Sequence, residues 1–321
     1  MTRRVSALAA ALAALCALAA EPEPNPHSAQ APAAPGYVGD ATCIECHEAL
    51  HPGFTRKFQD TLHGHVLNPT NGRTELAAHG CESCHGPGQA HVDAGGGKGV
   101  GGFVPFGEST PEAVKRVDEV CMACHKGDAR TYWPGSVHDV AEVGCTACHT
   151  LMENVSQSRL LAAKTEVETC ARCHPTQFAR TFRNAHMPLR PGDFQVSTAT
   201  NSKMSCTSCH QPHGSVTPSL IKQLTVNDQC LECHAEKRGP FLWEHSPVTE
   251  NCLNCHEPHG STRDAMLKMN VIRLCQSCHV STGHATSPRN PNDRFAVANS
   301  CLQCHTQIHG SNHPSGFVLT R

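Results

Sequence analysis

Apolar residues fall unevenly along this chain. The longest apolar run, VSALAAALAALCALAA, follows the basic start MTRR and ends in the small residues around Ala17-Leu18-Ala19. A run of roughly 15 residues is short of the ~20 that cross a bilayer. Positive start, apolar middle and small-residue end together predict an export signal over 1–19, cut near Ala19. Cys16 lies inside the run, and the bulk of Leu15 disfavours reading it as a lipidated cysteine. The following segment, EPEPNPHSAQAPAAPG, is Pro- and Ala-rich with almost no bulky apolar residue, so 20–36 is expected to be a disordered leader.

Structure is expected to begin near Tyr37. From there the apolar periodicity comes in short blocks. TPEAVKRVDEVCMACH opens with Thr110 as a cap and Pro111 in the first turn, which predicts a helix. SRLLAAKTEVETCARCH, SLIKQLTVNDQCLECH and DAMLKMNVIRLCQSCH predict further short helices on mixed 3.6-residue spacing. Strand-like alternation is scarce, and Gly- and Pro-rich loops separate the blocks. HVDAGGGKGVGGF faintly resembles a phosphate loop, but no Ser or Thr follows Lys98 and no strand precedes it. It is expected to be a flexible connector.

A formal charge of −2 and 4% aromatic residues give no sign of nucleic-acid or polyanion binding. Composition changes the picture through 21 cysteines and 24 histidines. Every cysteine except Cys16 belongs to one of ten C-x-x-C-H pentapeptides. In order, the cysteine pairs and adjacent histidines are Cys43, Cys46, His47; Cys81, Cys84, His85; Cys121, Cys124, His125; Cys145, Cys148, His149; and Cys170, Cys173, His174. They continue with Cys206, Cys209, His210; Cys230, Cys233, His234; Cys252, Cys255, His256; Cys275, Cys278, His279; and Cys301, Cys304, His305.

This motif attaches c-type haem: two thiols form thioethers to the vinyl groups and the next histidine ligates iron. Zinc knuckles and disulfide scaffolds also use C-x-x-C, but neither requires a histidine after every second cysteine. Export agrees with haem attachment, which takes place outside the cytoplasmic membrane. Haem also answers a folding problem, since 2 Trp, 2 Tyr and 10 Phe supply little apolar area. Porphyrin burial at about 25 cal/mol per Å² would provide it, and the chain without haem is expected to be largely unfolded.

The motifs alternate in surroundings, which predicts an internal repeat of two haems. Even-numbered motifs are followed closely by a second histidine: His91, His213, His259 and His309. Odd-numbered motifs are followed later by His63, His138, His186, His245 and His284. The fourth motif, CTACHTLM, has Met152 where CTSCHQPH has His213. Met152 is expected as a thioether ligand to the fourth haem. The alternatives are that it packs on the porphyrin while His51, His65, His79 or His313 ligates. Five dihaem repeats are expected within 37–321, at about 37–115, 116–160, 161–220, 221–265 and 266–321. The fold class is a multihaem cytochrome c: mostly short α-helices and loops wrapped around an extended row of ten haems, with little β-structure and mostly local ligands. So little protein per haem brings neighbours close. Candidate ligands for every iron favour electron transfer over catalysis.

The region from Tyr37 to about Gly316, with GDATCIECH, TLHGH, GCESCHGPGQAHV and the repeated CHxPHG, resembles the MtrA/DmsE family of decahaem cytochromes c. The resemblance implies a periplasmic haem wire inserted in an outer-membrane β-barrel porin. It implies exchange with periplasmic or inner-membrane cytochromes on one side and an extracellular multihaem cytochrome, reductase or mineral on the other. Reduction of minerals or dimethyl sulfoxide and oxidation of ferrous iron are all compatible with it. Family members normally carry two histidines per haem, and Met152 departs from that pattern. Outside the resemblance stand two other readings, a soluble periplasmic shuttle and an oxidoreductase with its own catalytic haem.

Overall fold

The computed structural model describes residues 36–68, 70–186, 204–279 and 300–320. The expected signal, most of the leader, and His284 lie outside them. The described residues form short helices and turns, and β-pairing among them is confined to isolated bridges. Two compact units result, one from the residues up to Thr55 together with Leu62–Val104, the other from Arg56–Thr61 together with Pro105 onward.

Cysteine motifs and helices coincide. The longest helix, Pro111–Cys124, starts where the sequence places it: Thr110 accepts the N–H of Ala113 and Pro111 occupies the first turn. Its last turn is the third motif, and His125 follows as the cap. Later odd-numbered motifs repeat this design in miniature. Thr165, Thr225 and Asn270 cap the helices Glu166–Ala171, Val226–Leu231 and Val271–Gln276, each cap standing five residues before the first cysteine. Six residues lie well below the ~12 at which isolated helices become marginal. These turns therefore depend on tertiary partners.

The apolar stretches upstream of these caps are not α-helical, contrary to their periodicity; two of them carry only the 3₁₀ turns Pro218–Leu220 and Asp264–Met266. Each folds back on the preceding even-numbered motif instead. Thr150 N–H reaches Leu160 O at 2.8 Å and Ala162 N–H reaches Cys148 O at 2.8 Å. The same two bonds recur around Gln211, Leu220, Lys222 and Cys209, and around Glu257, Met266, Lys268 and Cys255. The reversal requires left-handed backbone at Arg159-Leu160, Ser219-Leu220 and Ala265-Met266, with φ between 50° and 61°. Non-glycine residues adopt that region only at a cost that the surroundings must offset.

Side chains provide scant core. Among the described residues the buried apolar ones are Ala113, Val117, Trp133, Ala163, Leu220 and Leu319. The largest fully buried side chains are polar, Glu82 and Thr61. A chain of this length cannot order itself on so small an apolar cluster.

The glycine of the repeated CHxPHG has a steric reason. Gly260 has φ +125°, and a Cβ there would strike the carbonyl oxygen of Arg180; Gly214, at φ +113°, meets Tyr132 O in the same way. Gly260→Ala is expected to destabilise by about 1–3 kcal/mol. Gly127→Ala, with φ −106° and open space around the new methyl group, should stay within about 0.5 kcal/mol of the parent. Denaturant midpoints of the two variants, taken side by side, check both.

Candidate haem sites

Seven pairs of imidazole rings face each other at nearly constant distance. His47 stands 6.4 Å from His91, His138 6.3 Å from His174, His149 6.1 Å from His213, and His186 6.1 Å from His234. His210 stands 5.9 Å from His259, His245 6.2 Å from His279, and His256 6.2 Å from His309. A metal–imidazole bond is about 2 Å and a ring nitrogen lies about 1 Å from its ring centre, so rings on opposite sides of one metal have centroids about 6 Å apart. Every pair contains one motif histidine. Among the described residues no three or more His, Cys, Asp or Glu side chains gather as a bare-ion site, whereas zinc takes four such donors. Two opposed imidazoles and two nearby thiols fit haem, whose porphyrin supplies the other four donors.

The facing partner does not come from the neighbouring sequence. His138 follows the third motif and faces the fifth; His213 follows the sixth and faces the fourth. The exchange recurs with His186 and His259 between the fifth to eighth motifs, and with His245 and His309 between the seventh to tenth. The mostly local pairing that the sequence suggested gives way, from the third motif onward, to reciprocal exchange between successive motif pairs, while His91 faces the first motif within its own pair. The place opposite His149 that the sequence reading gave to Met152 is held by His213, and Met152 is 43% exposed. Spacing within CTACHTLM pointed to the wrong partner because the near-equivalent His213 itself serves a different motif. His79 stacks on Tyr37 at 3.9 Å.

The cysteines show a second regularity. None of the twenty motif cysteines is in a disulfide. Their sulfurs, thiols here, stand in for thioether sulfurs. First cysteines touch within each motif pair: Cys43 with Cys81, Cys121 with Cys145, Cys170 with Cys206, Cys230 with Cys252, and Cys275 with Cys301. Second cysteines approach between pairs: Cys148 with Cys173, Cys209 with Cys233, and Cys255 with Cys278. From the third motif to the tenth, attachment points thus meet alternately through first and second sulfurs.

Backbone carbonyls orient the imidazoles. Nδ1 of His85, His149, His210, His256 and His305 lies 2.6–2.9 Å from the carbonyl oxygens of Val104, Arg159, Ser219, Ala265 and Val318. Three of these carbonyls belong to the left-handed residues that reverse the chain, and Val318 precedes a fourth, Leu319. Such bonds fix the tautomer, leaving Nε2 for metal, and raise ligand basicity. Among the facing rings, His138 bonds Pro212 O at 2.9 Å and His186 bonds Pro258 O at 3.1 Å. Each proline precedes the histidine that makes the reciprocal exchange. Burial depresses the proton affinity of His85, His213, His259 and His309, which favours the neutral ligating form.

The glycine-rich segment is a wrap around two of these rings. Val100 O lies 3.2 Å from His91 Nδ1, and Phe103 stacks between His85 at 4.5 Å and His91 at 4.8 Å. Gly101, at φ +75°, packs against the backbone of Ala90 and His91. Sequence reading missed Phe103, and the only signal for it was an isolated aromatic residue at the end of a glycine run.

Residues 199–239 and 245–284 match the family model described as the doubled CXXCH motif, and residues 81–173 match that described as cytochrome c-type protein NrfB-like. Over 206 residues the chain is 26% identical to the C-type polyheme cytochrome OmcB of Geobacter sulfurreducens, covering 54% of this chain and 25% of that protein. With OmcC of the same organism the identity is 24% over 235 residues, 61% of this chain and 26% of the relative. Similarity to the multiheme cytochrome MtrA of Shewanella baltica is of another order, 41% identity over 292 residues, 88% of this chain and 81% of that protein. Identity at that level across most of both chains places this one in the MtrA family of multihaem c-type cytochromes, its C-x-x-C-H motifs holding haem c covalently.

Proposed function

We propose that the chain is an electron carrier with ten haem c groups, one at each C-x-x-C-H motif. The observation that carries this reading is the unbroken alternation of cysteine contacts through eight motifs, each successive attachment point touching or approaching the next. Bound haem supplies a one-electron iron couple whose potential follows its axial ligands and surroundings.

The residues do the rest. The motif cysteines would tether the haems, and the seven facing histidine pairs would hold seven of the irons. His85, His125 and His305 are the motif ligands of the other three; His63 and His284 are candidates for their far sides. Met152 is left without the fourth iron. Two histidines at each of those seven irons would leave no position for substrate there, which favours carriage over catalysis.

Family resemblance supports export by the 1–19 signal and five dihaem repeats within 37–321. It supports a periplasmic site at the outer membrane, inside a β-barrel porin. Among the described residues no helix is long and apolar enough to cross a membrane. A closed barrel would have to shield the irregular backbone from lipid. Periplasmic or inner-membrane cytochromes on one side and an extracellular cytochrome or reductase on the other complete the proposed route.

The mass of the secreted protein is expected to exceed that of the polypeptide by ten haems; a smaller number rejects the count. His213→Ala should convert about one tenth of the ferric haem from low to high spin, read by low-temperature EPR, whereas Met152→Ala should leave the spectrum unchanged. A near-infrared His/Met band in the parent protein, abolished in Met152→Ala, would reverse that assignment. Detergent extracts of outer membranes should yield the chain in complex with a β-barrel protein. Recovery only from the soluble periplasmic fraction would favour a diffusing shuttle.

A further inference from the structure

The five contacts between first cysteines share a geometry and differ in charge. In four of them a side chain from the odd-numbered helix reaches across to accept a backbone N–H of the even-numbered motif. Asp40 Oδ1 accepts from Cys81 at 2.8 Å, and Asp118 Oδ1 from Cys145 at 2.8 Å. Glu166, one residue further back, accepts the N–H of Thr207 at 2.7 Å and its hydroxyl at 2.9 Å. In the fourth contact the acceptor is the amide oxygen of Asn227, 2.8 Å from Cys252 N. Ile272 stands at the same place before the ninth motif and offers no acceptor at all.

Negative charge therefore declines along the chain. The first contact has two carboxylates, since buried Glu82 also acts on Cys43 while accepting the N–H groups of Val38, Gly39 and Gly88. The second has Asp118. The third has Glu166, with Arg159 3.4 Å from its Oε2. The last two have an amide and an alkyl group. The thiols register the difference: contact with Cys121, then burial, then Asp118 push Cys145 up. Cys230, raised to about 12 by burial and Cys252, and Cys275, raised to about 11 by burial and Cys301, have no carboxylate among their causes.

We propose that this bridging position sets the reduction potential of the haem pair it spans, and that Asn227 and Ile272 make the haems of the seventh to tenth motifs the higher-potential members of the series. The inference rests on the haem attachment proposed above. An electron added to a haem attached at these cysteines would be repelled by a fixed negative charge bonded to the same motif, most strongly where the carboxylate is buried, as Asp118 is. Replacing carboxylate by amide at constant shape removes the repulsion and keeps the acceptor. The side chain acts through the field at the haem and touches no substrate.

The test uses the full-length haem-loaded protein and two isosteric variants, Asp118→Asn and Asn227→Asp. Both are titrated between dithionite and ferricyanide with redox mediators, haem absorbance and EPR being followed together. In Asp118→Asn, one fifth of the haem signal is expected to shift about tenfold toward the reduced form at a given potential, or about 59 mV upward. In Asn227→Asp an equal fraction should move by a similar amount in the opposite direction. Opposite signs separate charge from loosened structure, which would move both variants alike. Curves that superimpose on the parent, or that move together, overturn the inference when the parent carries ten haems. Fewer haems on the parent would instead defeat the underlying reading. If Asp118→Asn loses haem, the sign of the Asn227→Asp shift decides alone.

Discussion

Two imidazoles facing each other across about 6 Å, in six of seven cases contributed by different motif pairs, are the constraint on which the described structure depends. The described residues have six buried apolar side chains and isolated bridges in place of sheets. What joins one motif pair to the next is the exchange of histidines: His138 for His213, His186 for His259, His245 for His309. With haem bound, each exchange would become two metal cross-links between segments far apart in sequence. Ligand binding of this kind is folding free energy, because the unfolded chain has no preformed site.

That dependence explains the tolerance of strained backbone. Left-handed Leu160, Leu220, Met266 and Leu319 would be liabilities in a protein held by a large core. Here they turn the chain so that a carbonyl meets the back of a motif histidine, at Arg159, Ser219, Ala265 and Val318. The strain is local and the gain is a ring held in one tautomer and one plane. Glycine does the complementary work on the facing side. Gly214 and Gly260, each just after a facing histidine, let the backbone of the partner segment come within contact.

Much of this was legible in the sequence, for identifiable reasons. Thioether attachment has strict covalent spacing, so each C-x-x-C-H states its site locally. Thr110 and Pro111 announced their helix because capping is a contact between near neighbours. Partner choice was hidden because it is a property of three-dimensional register. His213 lies three residues after His210 yet faces His149, and no periodicity in one dimension says so. The leucine-rich stretches before the caps misled for a related reason. Leu160 and Leu220 recur with helical spacing but serve a chain reversal, where the backbone bonds are made to the preceding motif. Nothing in the sequence sets Asp40, Asp118 and Asn227 apart from other polar residues ahead of a motif, and their cross-motif bonds appear only once the helices are placed.

The divergence at Met152 fits the same logic. In the sixth and eighth motifs the facing histidine is followed by a glycine that admits the partner backbone. In the fourth, Met152 is followed by Glu153 and Asn154, which hold their partner segment by side chains: Glu153 pairs with Lys57 at 2.9 Å, and Asn154 donates to Asp60 O at 2.8 Å. The docking of one segment on the next is thus kept while its chemistry changes from close backbone approach to an exposed ion pair and a hydrogen bond. An exposed pair contributes about 0–1 kcal/mol, so the Glu153–Lys57 contact adds little to how residues 57–60 are held.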